Sequence, residues 1–174
     1  EHLNKTKFSS YFIRELYHLS FSHNQINLID SYFFIDLIRL IGLNLNNNQL
    51  RNLMNDTFRG LTKLEYLNIS YNQIEHIQLD HFSDMKFLKV LDMTNNPLFI
   101  IEDYSFKNLN SLEKLYINQF YGKIREHTFE GLDSLNFLRI KQTAINEFDN
   151  IVHLIKCLFN PNKLTIRYIL HHNY

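Results

Sequence analysis

Histidine and cysteine are the residues of this chain most suited to catalysis. His153 and Cys157 are four residues apart. On a helix they would share one face, as a general base and a nucleophile do. No third group follows at a spacing that would orient the base, and no oxyanion-binding segment is evident. The pattern favours an idle thiol over a catalytic one, and we expect no catalytic residues.

Two pairs of histidines are candidate metal ligands. His18 and His23 are five residues apart, and His171 and His172 are adjacent. Neither pair has the additional ligands at the spacing that zinc sites use. A phosphate-binding loop, a metalloprotease helix and a nucleotide fingerprint are also missing from the sequence. We expect no metal site, no cofactor, no small-molecule substrate and no enzymatic activity.

The charge balance limits the classes of partner. Eighteen basic residues offset eighteen acidic ones, so the formal net charge is zero. A neutral chain has no global field to attract nucleic acid, which argues against that partner. No apolar run approaches the roughly 18 residues of a membrane-spanning helix, so we expect no membrane span in this segment.

A 24-residue repeat must position all of these side chains. Its first half reads L-x-x-L-x-L-x-x-N-x-L. Clear copies begin at Leu16, Leu40, Leu64 and Leu88, and weaker ones at Leu112 and Leu135. The alternation places the leucines on one side of a short strand and the intervening residues on the other. The amides of successive repeats can pair with the backbone of the turns, which predicts a ladder of stacked asparagines. These are Asn24, Asn48, Asn72 and Asn96.

The second half of the repeat carries a phenylalanine. The pattern F-x-x-L/M-x-x-L recurs at Phe34, Phe58, Phe82, Phe106 and Phe129. Side chains that recur at the period of a solenoid face its interior. The spacing therefore predicts a stacked aromatic spine, which favours core packing over a catalytic or cofactor-stacking role.

These two halves together resemble the leucine-rich repeat. The 24-residue length is similar to the typical extracellular subclass, as in Toll-like receptor ectodomains and secreted recognition proteins. The segments 57–61 (TFRGL) and 128–132 (TFEGL) carry the resemblance most closely. It implies an α/β repeat solenoid, a leucine-rich repeat horseshoe segment with a concave parallel β-sheet. It also implies six to seven repeats and activity by binding.

The chain departs from the family pattern toward its end. Phe120 and Thr143 stand where asparagine is expected, so the ladder should weaken after Asn96. A seventh strand is expected near 163–166. Cys157 is the single cysteine, so the family's cysteine-rich caps are missing and no intrachain disulfide forms. We expect one leucine-rich repeat domain over 1–174, with clear repeats over 13–148, an irregular end over 149–174, and a longer solenoid around it.

Three sequons bear on the cellular compartment. They begin at Asn4, Asn55 and Asn68. Asn55 precedes the spine residue Phe58 on a side surface and is the best candidate for a glycan. Asn68 points from a strand onto the concave face, where a glycan would block local binding. Chance alone gives roughly two sequons in a chain of this composition, so three carry little weight. The resemblance implies an extracellular protein, secreted or a receptor ectodomain. The alternative is a cytoplasmic one.

The partner surface follows from the repeat period. The outward positions of the strands form the concave face, and its later repeats combine basic and aromatic residues. Such residues are enriched at the centres of protein interfaces. The candidate partner-binding residues are Tyr66, Tyr71, Lys114, Tyr116, Phe137, Arg139 and Lys141. The hypothesis is that four of them (Tyr116, Phe137, Arg139 and Lys141) anchor an acidic or amide-rich partner. The alternative is a solvated basic surface with scattered aromatics.

The sequence thus predicts a non-catalytic recognition module. Its expected partner is a protein ligand or co-receptor, and its expected setting is an innate-immune or cell-surface receptor. The same architecture also suits an adhesion or matrix scaffold, or an intracellular protein-interaction domain. Fold analogy alone does not choose among them, because function resides in the site.

Overall fold

The computed structural model describes residues 1–4 and 11–142. At positions 11, 12, 118, 119, 141 and 142 it describes the backbone alone. Several sequence-based expectations lie outside these residues. They are Thr143 in the sixth repeat, the seventh strand near 163–166, the irregular end over 149–174, and the side chains of His153, Cys157, His171 and His172.

One six-stranded parallel sheet forms the concave side of the solenoid. Its strands are β2 (His18–Ser20), β4 (Gly42–Asn44), β5 (Tyr66–Asn68), β7 (Val90–Asp92), β9 (Lys114–Phe120) and β10 (Phe137–Gln142). Each strand pairs with the next in the same register, so Leu43 lies beside Leu67 and Leu67 beside Leu91. These three leucines are buried. The predicted comb of inward leucines is therefore confirmed.

Four shorter strands lie outside the main sheet, one before its first strand and three between its strands. They are β1 (His2–Leu3), β3 (Leu28–Ile29), β6 (His76–Ile77) and β8 (Ile100–Ile101). They form two parallel pairs, β1 with β3 and β6 with β8. A 3-10 helix at Tyr11–Glu15 precedes β2. Over the described residues the remaining outer segments are turns, and no α-helix is present.

The phenylalanine spine is confirmed as part of the core. Neighbouring rings from Phe34 to Phe129 have centroids 6.1–6.3 Å apart and planes within 15° of each other. All five rings are buried. Because each ring contacts the rings of adjacent repeats, the spine joins repeats that are far apart in sequence to one hydrophobic core.

The asparagine ladder is also confirmed, and each interior rung spans two repeats. The Nδ2 of Asn72 donates to the carbonyls of Leu45, Ile69 and Ser70 at 3.0–3.2 Å. Its Oδ1 accepts from the backbone N–H of Leu50 at 3.0 Å. Asn48 and Asn96 repeat this pattern one period to either side. Each amide thus satisfies backbone groups that the turns would leave unpaired.

The residue before each ladder asparagine lies in the turn that follows the strand. His23, Asn47, Tyr71 and Asn95 all have φ between 52° and 56°. A left-handed residue interrupts an extended backbone, so the chain changes direction there. Strands β2, β4, β5 and β7 are each three residues long and end three residues before this position.

Phe120 ends the ladder, as the sequence predicts. Its ring is buried where the earlier repeats place an amide, and it bridges to Leu98 in the neighbouring repeat. No positive φ precedes Phe120, so β9 runs for seven residues. The pairing of β9 with β10 then shifts register between Ile140 and Gln142. The longer strands and the register shift were not predicted.

A row of buried polar residues precedes the spine. It consists of Thr57, His81, Ser105 and Thr128. Three of them bond to nearby backbone: the N–H of Arg125 donates to Thr128 Oγ1 at 2.8 Å, and the N–H of Gln78 donates to His81 Nδ1 at 3.2 Å. Ser105 donates to the carbonyl of Glu102 at 2.5 Å. His81 is the large member of a row otherwise built from small hydroxyl residues.

Candidate concave-face binding site

Two rows of outward side chains cross the strands of the concave face. The strand register defines both rows. The first row contains His18, Gly42, Tyr66, Val90, Lys114 and Phe137. The second row contains Ser20, Asn44, Asn68, Asp92, Tyr116 and Arg139. Parallel strands are about 4.8 Å apart, so each row spans about 24 Å, enough for a segment of a protein partner.

A groove occupies the part of this face nearest the N-terminus. It has a volume of about 590 Å³ and extends from His18 to Tyr116. Gly42 is part of its lining, and a Cβ placed there would lie 2.5 Å from His18 Nδ1. The missing side chain at Gly42 therefore leaves room for the His18 ring. Tyr66 stands out from the lining, with 48% of its surface exposed.

Aromatic and basic residues meet at the other end of the face. The rings of Tyr116 and Phe137 lie 5.1 Å apart at 43°. In the register of β9 and β10, Arg139 lies beside Tyr116 and Phe137 lies beside Lys114. The structure thus brings together four of the candidate partner-binding residues: three predicted anchors, Tyr116, Phe137 and Arg139, and also Lys114. Tyr116 also lines the groove, so the basic end and the groove are continuous.

The described charged side chains on this face, Lys114, Arg139 and Asp92, form no ion pairs with one another. Lys114 and Arg139 are exposed. Neither forms an ion pair with a residue whose side chain the structure describes, and Asp92 forms none with those residues either. By contrast, Lys89 Nζ forms an ion pair with Glu65 Oε2 at 2.9 Å, and these two residues immediately precede β7 and β5. Charges left available to solvent can pair with a partner without breaking an internal contact.

A second periodic feature shapes the groove at the strand ends. The Oδ1 atoms of Asn44, Asn68 and Asp92 each accept from the backbone N–H two residues later, at 2.9–3.0 Å. In the third repeat Asn68 also accepts from Ser70 Oγ at 2.6 Å. Ser70 is only 2% exposed, although the alternation of the strand assigns it to the outward side, so the outward assignment by period is wrong at this position.

One of the predicted contact residues stands apart from this cluster. Tyr71 follows the end of β5 with 54% of its surface exposed, and it does not line the groove. Lys141 lies near the end of β10, at a position described by its backbone alone. Among the sequon asparagines, Asn55 is exposed, Asn4 is half-buried, and Asn68 lines the groove.

Two features of the described residues bear on metal binding and on membrane insertion. Among residues 1–4 and 11–142, no group of three or more histidine, cysteine, aspartate and glutamate side chains is arranged to hold a metal ion. The same part of the chain has no helix with the length and apolar character needed to cross a membrane.

Comparison with known families decides what this architecture is. The profile described as leucine rich repeat matches residues 14–74, 43–98, 67–119 and 87–145. The chain belongs to the leucine-rich repeat family. The leucine-rich repeat fold generally serves as a non-catalytic scaffold for interactions. No curated protein sequence matches the chain.

Solved structures similar to this chain include three assemblies. The TLR13–ssRNA13 complex contains a chain 28% identical to this one, with a TM-score of 0.70. A chain of the LRIM1/APL1C complex is 24% identical with a TM-score of 0.69. A chain of the Drosophila Toll–Spatzle complex is 24% identical with a TM-score of 0.66. For the second and third chains the likeness concerns the fold alone.

The alignments cover most of this chain and a small part of the others. They include 78%, 75% and 70% of the leucine-rich repeat chain described above, against 19%, 24% and 18% of the respective solved chains. This chain therefore corresponds to about a fifth to a quarter of the length of those proteins.

Reasoning from the sequence missed several residues of the face. His18, Gly42 and Asp92 line the groove, and none was predicted as a contact residue. The contact residues predicted from the sequence are mainly aromatic and basic. A groove also depends on the positions of small side chains. The available signal was the 24-residue period itself, because Asn44, Asn68 and Asp92 recur at one position.

Proposed function

We propose that this chain is a recognition module that binds a protein ligand or co-receptor on its concave face, outside the cell, as part of an innate-immune or cell-surface receptor. Its contact region is the aromatic and basic end of the sheet, with Lys114, Tyr116, Phe137 and Arg139 as anchors. The preferred partner segment is acidic. The observation that carries this proposal is the Tyr116–Phe137 ring pair at 5.1 Å beside Arg139, which forms no ion pair with the described side chains.

The physical argument concerns what each side chain offers a partner. Two packed rings supply a rigid apolar platform at little entropic cost. Arg139 and Lys114 flank the rings and supply donors for carboxylates. Opposite charge across an interface speeds association and selects the partner. Two of the similar solved structures are complexes between proteins, LRIM1/APL1C and Toll–Spatzle, which supports a protein as the partner class.

A selection from random displayed peptides tests the proposal. Peptides that bind the chain are expected to be acidic and to lose affinity about 5- to 30-fold for Tyr116→Ala and for Arg139→Ala. Phe87→Ala and Lys63→Ala are matched controls, because both residues are exposed and lie outside the concave rows. Peptides that bind the two anchor variants as tightly as the parent chain would overturn the assignment of this surface.

A second experiment tests single-stranded nucleic acid as the alternative class of partner. One similar structure is a complex with ssRNA13, and basic residues beside aromatic rings also suit single-stranded RNA. Titration with a single-stranded oligonucleotide at about 50 and 200 mM salt separates the two classes, since phosphate contacts give a steep salt dependence. Tight, salt-sensitive binding that Arg139→Ala abolishes would assign the basic end to nucleic acid instead of protein.

Glycan occupancy tests the extracellular part of the proposal. Asn55 is exposed, and the sequon continues through Asp56 to Thr57. After expression through the secretory pathway of a eukaryotic host, enzymatic deglycosylation and peptide mass spectrometry should show Asn55 converted to aspartate. Asn55→Gln is the control for the peptide assignment. An unmodified Asn55 in secreted protein would contradict this reading.

A further inference from the structure

We propose that the groove beside the basic end holds a cationic side chain of the partner, with Asp92 as its counter-ion and Tyr66 and Tyr116 as its walls. This inference rests on the proposed function and narrows it. The partner segment would carry a basic residue for Asp92 and an acidic residue for Arg139. The proposed function alone requires only the acidic residue.

The negative charge of Asp92 is not needed by the fold. Asp92 Oδ1 accepts from the N–H of Thr94 at 2.9 Å and from the Thr94 hydroxyl at 2.8 Å. Asn68 accepts the same two bonds with a neutral amide, at 2.9 and 2.6 Å, and Asn44 accepts the first of them at 3.0 Å. A single acceptor oxygen therefore suffices to close this turn. The carboxylate adds a charge that no described side chain neutralises through an ion pair.

The surroundings of Asp92 suit a cation. In the strand register, Asp92 lies beside Asn68 on one side and beside Tyr116 on the other. Tyr66 lies in the neighbouring row, one strand away, and all four residues line the same groove. Aromatic faces attract ammonium and guanidinium groups, and the attraction increases when water is displaced. A lysine or arginine side chain would thus meet a carboxylate and two rings.

The register also sets the spacing of the two charges in the partner. Asp92, Tyr116 and Arg139 are consecutive members of one row, so Asp92 and Arg139 are two strands apart. Two strand spacings correspond to about 9.6 Å. In an extended polyproline II segment, residues i and i+3 project from the same side about 9.3 Å apart. The matching motif is a basic and an acidic residue separated by two others.

Three synthetic peptides test this spacing and the need for the basic residue. The first probe contains Lys-Pro-Pro-Glu within a proline-rich 12-residue peptide. A second has the same composition with Lys and Glu adjacent, and a third replaces Lys by norleucine. We expect the first to bind the chain about three- to tenfold more tightly than the other two by fluorescence anisotropy. The advantage should shrink as salt is raised.

The variant Asp92→Asn isolates the charge. Because Asn closes the same turn in two other repeats, the thermal midpoint should not change. The variant should bind the Lys-Pro-Pro-Glu peptide no better than the norleucine peptide, which gives a coupling between Asp92 and the lysine in a double-mutant cycle. Asp133→Asn, which removes an exposed carboxylate outside both concave rows, is the control that leaves binding unchanged.

The outcomes separate this inference from the function on which it rests. If the peptides bind through Glu and lose affinity for Arg139→Ala, yet neither Lys nor Asp92 affects affinity, the cationic subsite is overturned and the proposed function stands. If none of the peptides binds at millimolar concentration, both fail. Equal binding of the spaced and adjacent peptides would overturn the two-strand geometry.

Discussion

The side chain of Asn72 reaches across a repeat boundary to Leu45, where its Nδ2 donates to the backbone carbonyl at 3.0 Å. Its Oδ1 meanwhile accepts from the N–H of Leu50 at 3.0 Å. One amide therefore fastens two turns of the solenoid at a buried position. This relationship leads to the first prediction, because Asn24 has the same place in its repeat but is exposed and donates only within its own turn.

Asn72→Ala should lower the free energy of unfolding by at least about 2 kcal/mol. The loss follows because several buried backbone groups lose their partner, and each costs about 1–3 kcal/mol when left unpaired. Asn24→Ala should cost less than about 1 kcal/mol, since water can replace the side chain there. Urea unfolding followed by circular dichroism measures both values. Equal losses for the two variants would contradict the role assigned to the ladder.

Phe82→Ala should destabilise the chain by about 3–5 kcal/mol. The ring is buried between those of Phe58 and Phe106, at 6.2 and 6.1 Å, so its removal leaves a cavity in the spine. Phe87→Ala is the matched control, because that ring is 59% exposed, and it should change stability by less than about 0.5 kcal/mol. Thermal melts of the two variants decide the matter, and a small effect of Phe82→Ala would refute the spine as a major stabilising element.

Acid should destabilise the fold through His81. The side chain is 3% exposed, and burial lowers the pKa of His81 from 6.5 to about 4. The backbone of Leu53 offsets this only in part. The unfolded chain binds this proton near pH 6.5, whereas the folded chain binds it near pH 4. Stability from the neutral ring is therefore complete above about pH 6.5 and is lost as pH falls toward 4, by roughly 3 kcal/mol.

His81→Ser replaces the titrating ring with a hydroxyl, as at Ser105 in the next repeat. The variant should lose the part of the pH dependence of stability that falls between about pH 6.5 and 4. Chemical unfolding at pH 7, 6, 5 and 4 compares the parent chain with the variant. If the two curves stay parallel across this range, His81 is not the group responsible.

Gly131→Ala should destabilise the chain by more than about 1 kcal/mol. Gly131 has φ +89°, and a Cβ there would lie 2.4 Å from the Cα of Lys107. Both the backbone conformation and the neighbouring main chain resist a side chain. Gly42→Ala should cost less, because its nearest contact is the movable ring of His18. Calorimetric midpoints rank the two variants, and a larger cost at Gly42 would reverse the argument.

The sequence alone determined the side of the solenoid to which most residues belong. Leu67 points inward and Tyr66 outward because side chains alternate along a strand, and a 24-residue period repeats that choice in every turn. The stack of Phe58 on Phe82 and the rung at Asn72 follow from the same period. A local rule, repeated without a gap, is sufficient to predict a solenoid, because each unit contacts only its neighbours.

The tertiary structure decided what adjacent repeats do to one another. Ser70 is outward by period, yet it is buried and donates to Asn68. Phe120 replaces an amide, and the strand lengthens in response. The contact of Tyr116 with Phe137 and the place of Asp92 in the groove depend on register between strands more than twenty residues apart. Periodicity assigns a side chain to a face, but only packing against the neighbouring repeat determines its exposure and its contacts.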